Sequence, residues 1–273
     1  MKEINFSDFS VANDAPFVLI AGPCQIESED HTLYMAEEIL KITTKLNIPL
    51  IFKSSFDKAN RTSATSKRGI GMYNGLDALN QVKQQFGIPV LTDIHEIMQT
   101  AQVSQYVDVL QIPAFLSRQT DLLEAAAISG LPVHIKKGQW MAPKDMHQVA
   151  AKLEHFGCRK IMLCDRGTAF GYNTLVNDMR GLPIMAETGW PVIIDATHSV
   201  QQPGGLGGSS GGQREYVETI ARAGVAVGVA GVFIETHQDP DSAPSDGPNM
   251  VPLNKLYTLL EKLKDIDTIV KGW

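Results

Sequence analysis

Val192-Ile193-Ile194-Asp195-Ala196-Thr197-His198 is an uninterrupted apolar run that stops at an acid and a histidine, and it sets the reading of the whole chain. A strand covered on both faces is continuously apolar, whereas a half-wet antiparallel strand alternates. The same pattern recurs at Phe17 to Cys24, Leu50 to Phe56, Pro89 to Ile94, Val109 to Ala114, Val133 to Lys137, Ile161 to Arg166 and Val232 to His237. Helical spacing lies between the runs, in Thr32 to Leu46, Asp121 to Ile128, Lys144 to Phe156, Gln213 to Ala223 and Leu253 to Leu263. Helix starts carry capping residues such as Ser28, and stops fall at Phe86-Gly87-Ile88-Pro89 and Ser129-Gly130-Leu131-Pro132. Parallel strands require such crossovers. Eight repeats favour closure into an α/β (β/α)8 TIM barrel over an open doubly wound sheet. The open sheet would carry a glycine-rich phosphate loop after its first strand, but Ala21-Gly22-Pro23-Cys24 puts proline where free backbone donors are needed.

The expected organisation is one barrel domain over residues 1–273. Residues 1–14 form a short N-terminal β-hairpin under the barrel, 199–212 a glycine-rich lid loop and 237–252 a second mouth loop. The alternative for the glycine-rich segment is a floppy connector, since so many glycines are costly to order. A formal net charge of −6 argues against nucleic acid as a partner. No apolar stretch approaches the roughly 20 residues that span a bilayer, so no membrane is expected. The start, Met1 to Asp14, lacks a signal pattern, and three unevenly spaced cysteines fit reducing surroundings; both point to the cytoplasm.

Barrel enzymes place their chemistry where the strands stop. Lys53, Lys58 and Arg61 crowd the end of the second strand, and Lys136, Lys137 and Arg166 end the fifth and sixth. Grouped cations repel one another unless an anion is held between them, so a substrate with phosphate and carboxylate groups is expected; the alternative is a solvated basic loop. Cys24, His198, Glu235 and Asp246 belong to strands one, seven and eight and the loop after strand eight, which adjoin in a closed barrel. Together they suit a divalent ion such as zinc, iron or manganese. Singly they read as a buried cysteine, a hydrogen-bonded histidine and a surface acid.

Several motifs resemble one family closely. They are Ala21-Gly-Pro-Cys24 with Glu27-Ser28, Lys53-Ser-Ser-Phe-Asp-Lys-Ala-Asn-Arg61, Gln111-Ile-Pro-Ala114, Lys136-Lys-Gly-Gln139, Cys164-Asp-Arg-Gly167, Phe170-Gly-Tyr172, Asp195-Ala-Thr-His-Ser199 and Asp246-Gly-Pro248. The chain resembles the 3-deoxy-D-manno-octulosonate 8-phosphate synthases along nearly its whole length. The resemblance implies condensation of phosphoenolpyruvate with arabinose 5-phosphate, with release of inorganic phosphate. Cysteine after Gly-Pro implies the metal-dependent class, with Cys24, His198, Glu235 and Asp246 as ligands and Cys24, His198 and Asp246 also among the catalytic residues. Lys53, Lys136 and Arg166 would then grip phosphoenolpyruvate, with Gln111, Pro113 and Ala114 lining its pocket, Asn60, Arg61 and Thr62 would hold the pentose phosphate, and Ser55 and Asp93 are further candidate substrate-binding residues. Lys58, near both substrates by position, is the candidate for polarising the aldehyde or donating its proton. A homotetramer is also implied, with Phe115 and Arg118 reaching a neighbouring site. The nearest rival, the 3-deoxy-D-arabino-heptulosonate 7-phosphate synthases, typically carries Lys-Pro-Arg-Thr where this chain has Lys58-Ala-Asn-Arg-Thr62. More distant readings are a metal-dependent aldolase that releases no phosphate and a non-catalytic sugar-phosphate-binding barrel.

Overall fold

The computed structural model describes residues 1–205 and 210–272. Eight parallel strands form the barrel: β1 (Val18–Gly22), β2 (Leu50–Lys53), β3 (Val90–Asp93), β4 (Val109–Ile112), β5 (Val133–Lys136), β6 (Ile161–Asp165), β7 (Val192–Asp195) and β8 (Gly231–His237). Each pairs with the next, and β8 pairs back with β1 through Val232↔Leu19 and Phe233↔Ile20, which closes the ring. The crossovers are α1 (Glu29–Leu46), α2 (Met72–Phe86), α3 (Ile97–Val103), α4 (Thr120–Ile128), α5 (Met146–His155), α6 (Gly181–Ala186), α7 (Val217–Val227) and α8 (Leu253–Lys271).

The pleat explains why the strands are apolar throughout. Leu19, Phe52, Val90, Leu110, Ile135, Leu163, Ile194 and Val232 face outward into the core shared with the helices. Ile51, Leu91, Val109, Cys164, Ile193 and Phe233 face the barrel axis. Two residues beyond each inward apolar side chain comes a polar one: Lys53, Asp93, Gln111, Arg166, Asp195 and Glu235. On β5 the same step leads from His134 to Lys136. The polar set is thus one storey of the barrel interior, directly above an apolar storey.

Residues 4–5 and 10–11 pair antiparallel, and Ile4 and Val11 join the axial cluster, so the expected hairpin plugs the floor. Phe6 and Phe9 stack there at 4.9 Å. Ser28 caps α1, its Oγ accepting the His31 amide at 3.1 Å, and Asn47 closes the helix in the left-handed region. Strand β2 stops at Lys53 rather than at Phe56. The Ser54 and Ser55 hydroxyls turn away to Pro23 O and Asp93, leaving one bridge, Gln25↔Ser55. Gly22 is required where it stands, since a Cβ there would lie 1.9 Å from Lys53 O. Helix α8 runs on to Lys271 instead of ending near Leu263, because Asp267 and Lys271 are buried against the barrel floor.

A hairpin not expected from the sequence, Thr168–Ala169 with Leu175–Val176, follows β6; Gly167, Gly171 and Asn173 supply its positive φ values. The glycine-rich segment opens with a 3₁₀ turn at His198–Val200, and Gln201–Gln202 pairs with Gly211–Gly212. Its centre, 206–209, lies outside the described residues.

Candidate active site

The open end of the barrel surrounds a cavity of about 820 Å³. It is lined by Lys53, Lys58, Asn60, Arg61, Thr62, Asp93, Gln111, Pro113, Ala114, Phe115, Lys136, Arg166, His198, Glu235 and Asp246, so most residues singled out in the sequence share one space. Cys24 and Ser55 are buried immediately behind this lining, Cys24 against Asp246 and Ser55 against Lys58. Arg118 is not brought in; it is exposed and absent from the lining.

Lys53, Lys136 and Arg166 sit in the polar storey, each against a carboxylate or carbonyl. Lys53 Nζ lies 3.0 Å from Glu235 Oε1 and 3.1 Å from Cys24 O. Lys136 Nζ lies 2.6 Å from Asp195 Oδ2. Arg166 donates from Nη2 to Gln201 Oε1 at 2.7 Å, while its buried Nε has no partner among the described residues. Lys58 donates to Ser55 Oγ at 3.0 Å, and that hydroxyl bonds Asp93 Oδ1. Burial works against the Lys58 ammonium, but Cys24, Glu235, Asp93 and Asp246 outweigh it and raise its pKa. Burial likewise opposes the Asp93 carboxylate, yet His95, at 2.7 Å from Oδ2, with Lys58 and Lys53, holds it well below the usual range.

The second group lies beside the cations. Sγ of Cys24 and carboxylate oxygens of Glu235 and Asp246 all fall within 4.8 Å of one another. His198 joins from the side, Nε2 being 3.6 Å from Glu235 Oε2 and 4.0 Å from Asp246 Oδ2. Asp195 Oδ2 accepts the His198 Nδ1–H at 2.8 Å, which keeps the proton on Nδ1 and turns the Nε2 lone pair toward these oxygens. Glu235 Oε2 is buried without a hydrogen-bond partner among the described residues. Burial, reinforced by Glu235, pushes the Cys24 thiol up. The Nε2 lone pair and the orphaned Glu235 oxygen repel one another unless a cation stands between them, and the Cys24 sulfur and Asp246 carboxylate beside them are further donors, so these four residues fit a divalent ion.

One functional residue escaped the sequence reading. Gln201 links both groups, its Oε1 accepting from Arg166 and its Nε2 donating to Asp246 Oδ1 at 2.9 Å. Its place beside a glycine-rich stretch hid it. Arg61, expected to hold the pentose phosphate, lines the cavity and spans the mouth to Ser245 Oγ (2.7 Å), Gln25 Oε1 (2.7 Å) and Pro244 O (3.1 Å). A second cluster, Glu27, His31 and His237, has metal-like proximity but different chemistry. His237 Nδ1 accepts the Asp239 amide at 3.1 Å, so Nε2 carries the proton and donates it to Glu27 at 2.8 Å. No lone pair of His237 is left for a cation.

A closed barrel with buried cations, carboxylates and a thiol gathered at its carboxyl-terminal end defines a barrel enzyme with an anion-receiving mouth. Comparison with known proteins makes the assignment particular. The model of the DAHP synthetase I family matches residues 2–272, and the chain belongs to that family. The 2-dehydro-3-deoxyphosphooctonate aldolase of Rickettsia bellii is 62% identical over 270 residues, which cover 99% of this chain and 98% of the relative. The proteins of the same name from Brucella anthropi and Rickettsia prowazekii are 60% and 57% identical, with the same coverage.

Proposed function

We propose that the chain condenses phosphoenolpyruvate with D-arabinose 5-phosphate and water, giving 3-deoxy-D-manno-octulosonate 8-phosphate and inorganic phosphate for lipopolysaccharide biosynthesis. The observation that carries this reading is the adjacency, in one cavity, of the Lys53, Lys136 and Arg166 basin and the Cys24 group. It stands on a chain whose full-length relatives bear the name of the aldolase of this eight-carbon phosphate.

Lys53, Lys136 and Arg166, with Gln111, Pro113 and Ala114 as walls, receive the phosphoenolpyruvate carboxylate and phosphate. The incoming anion exchanges with Glu235, Asp195 and Gln201, the present partners of these cations. Asn60, Arg61 and Thr62 receive the pentose phosphate, Arg61 giving up Ser245 and Gln25. Binding energy from that remote phosphate sets the aldehyde against the methylene carbon. The methylene carbon forms the new bond to the aldehyde carbon, and the aldehyde oxygen takes a proton. Lys58, held by Ser55 and Asp93, is the donor. Water adds to the enolic carbon, its released proton restoring the Lys58 ammonium, and the resulting hemiketal phosphate breaks its carbon–oxygen bond, the hydroxyl becoming the ketone as its proton leaves with phosphate into the cation basin. Cys24, His198, Glu235 and Asp246 hold a divalent zinc, iron or manganese ion, which supplies Lewis acidity toward the aldehyde or the water.

Pro203, Gly204 and Ser210 line the cavity beside the glycine-rich segment, which supports reading 199–212 as a lid. The exposed Phe115–Trp140 stack at the rim, with ring centroids 6.4 Å apart, supports a homotetramer in which Phe115 and Arg118 meet a neighbouring chain. A sedimentation mass of four chains checks it. No helix among the described residues is long and apolar enough to cross a membrane. The test of function is phosphate release and product mass with arabinose 5-phosphate beside erythrose 4-phosphate. Turnover of the pentose is expected, and turnover of erythrose 4-phosphate alone would overturn the assignment.

A further inference from the structure

Phe233 is fully buried on β8, one storey beneath Glu235, and several charged or polar groups of the site converge on its ring. Lys136 Nζ stands 3.6 Å from the ring centroid and Lys53 Nζ 5.7 Å from it. The His134 imidazole lies parallel to the ring, with centroids 5.9 Å apart and planes inclined by 2°, and the His198 ring is tilted against it at 5.8 Å. His134 is itself fixed by Gln111, its Nδ1 lying 3.1 Å from Oε1. Burial, and then Lys136, pushes the His134 pKa down to about 3, so the stacked ring is neutral and does not compete with the lysines for the π face.

The interior of a barrel holds few places for an ammonium, and each has a consequence for ligand binding. Held only by Asp195, Lys136 would spend its charge and its N–H donors on a partner that an incoming anion must displace. An aromatic face attracts the same ammonium through its quadrupole, accepts no conventional hydrogen bond and cannot follow the ammonium upward. The attraction is strongest where water is excluded, as it is around a residue with no exposed surface.

We propose that Phe233 is a positioning residue for phosphoenolpyruvate, its π face holding the Lys136 ammonium, and at longer range that of Lys53, raised toward the mouth. The inference rests on the proposed function only for the identity of the anion. Replacing the ring hydrogens with fluorine at this single position, from one to three atoms, drains the quadrupole while keeping size and shape nearly constant. Under the proposal the KM for phosphoenolpyruvate climbs stepwise with fluorination, by about tenfold at three fluorines, while that for arabinose 5-phosphate stays at its parental value. Calorimetric titration with phosphoenolpyruvate alone should show the same series. Phe233→Leu, which fills the space without a π face, should fall at the weak-binding end. The same fluorination at Phe52, buried outside the barrel axis, should leave both constants unchanged. A flat series, an equal rise for both substrates, or a leucine variant with parental affinity overturns the inference. Failure of the parent enzyme to turn over these substrates would instead strike the proposed function, and the calorimetric series with the anion would still decide the role of Phe233.

Discussion

Arg61 shows how much a single side chain can be asked to do. Its guanidinium joins the loop after β2 to the loop after β8 through Ser245 and Pro244, and to the segment after β1 through Gln25. Arg61→Ala should raise the KM for arabinose 5-phosphate by about ten- to a hundredfold, the scale of a lost charged hydrogen bond, with a much smaller change for phosphoenolpyruvate. Equal changes in steady-state kinetics would move Arg61 out of the pentose site. His134 makes a prediction of a different kind. Its pKa lies at about 3 when folded, against an ordinary value of 6.5, so the unfolded chain binds the extra proton between those limits. Stability is therefore full above pH 6.5 and falls as pH drops, by about 1.4 kcal/mol per unit from this residue. Urea midpoints between pH 6.5 and 5 should fall in the parent, and His134→Asn should flatten that slope.

Among the elements, α8 is fastened by a buried ion pair. Asp267 accepts the Phe17 amide at 2.9 Å and lies 2.9 Å from Lys271, which donates to Ala15 O and Val229 O at 2.6 and 2.8 Å. Lys271→Met strands a buried carboxylate and should cost about 3 kcal/mol in urea unfolding, whereas adding Asp267→Asn should return part of that loss. Because this clamp sits at the floor, kcat at low temperature should remain parental in both. The elements also show what the sequence could and could not convey. Runs such as Val192-Ile193-Ile194 announced strands, since burial on both faces leaves a one-dimensional mark, and Ser28 announced α1 through its cap. The hairpin after β6 gave no such mark: its strands are two residues long and its signal is backbone φ at Gly167, Gly171 and Asn173. Gln201 was equally hidden, because a bridge between Arg166 and Asp246 is a property of the closed barrel and not of its local sequence.

For the molecule as a whole, closure of the ring brings residues from its two ends together. Cys24 after β1 meets Asp246 after β8 at 3.1 Å, and His198 after β7 completes the group. An ion held there would tie three strand ends and a loop, so its removal should be felt beyond the chemistry. Chelation should abolish turnover and lower the melting temperature, and added divalent ion should restore both. Full activity in metal-free protein would refute the metal-dependent assignment.

The two-residue step between storeys has a further meaning. Ile51 and Lys53, Leu91 and Asp93, Ile193 and Asp195, Phe233 and Glu235 are spaced by one pleat repeat, so the chemistry of this molecule is written in the parity of its strands. Changing the helices outside, or even exchanging whole crossovers, leaves that parity intact. A single residue inserted within β2 or β8 inverts it, sending an ammonium or a carboxylate into the oil of the outer shell, which is why tolerance to length change should end abruptly at the strand borders.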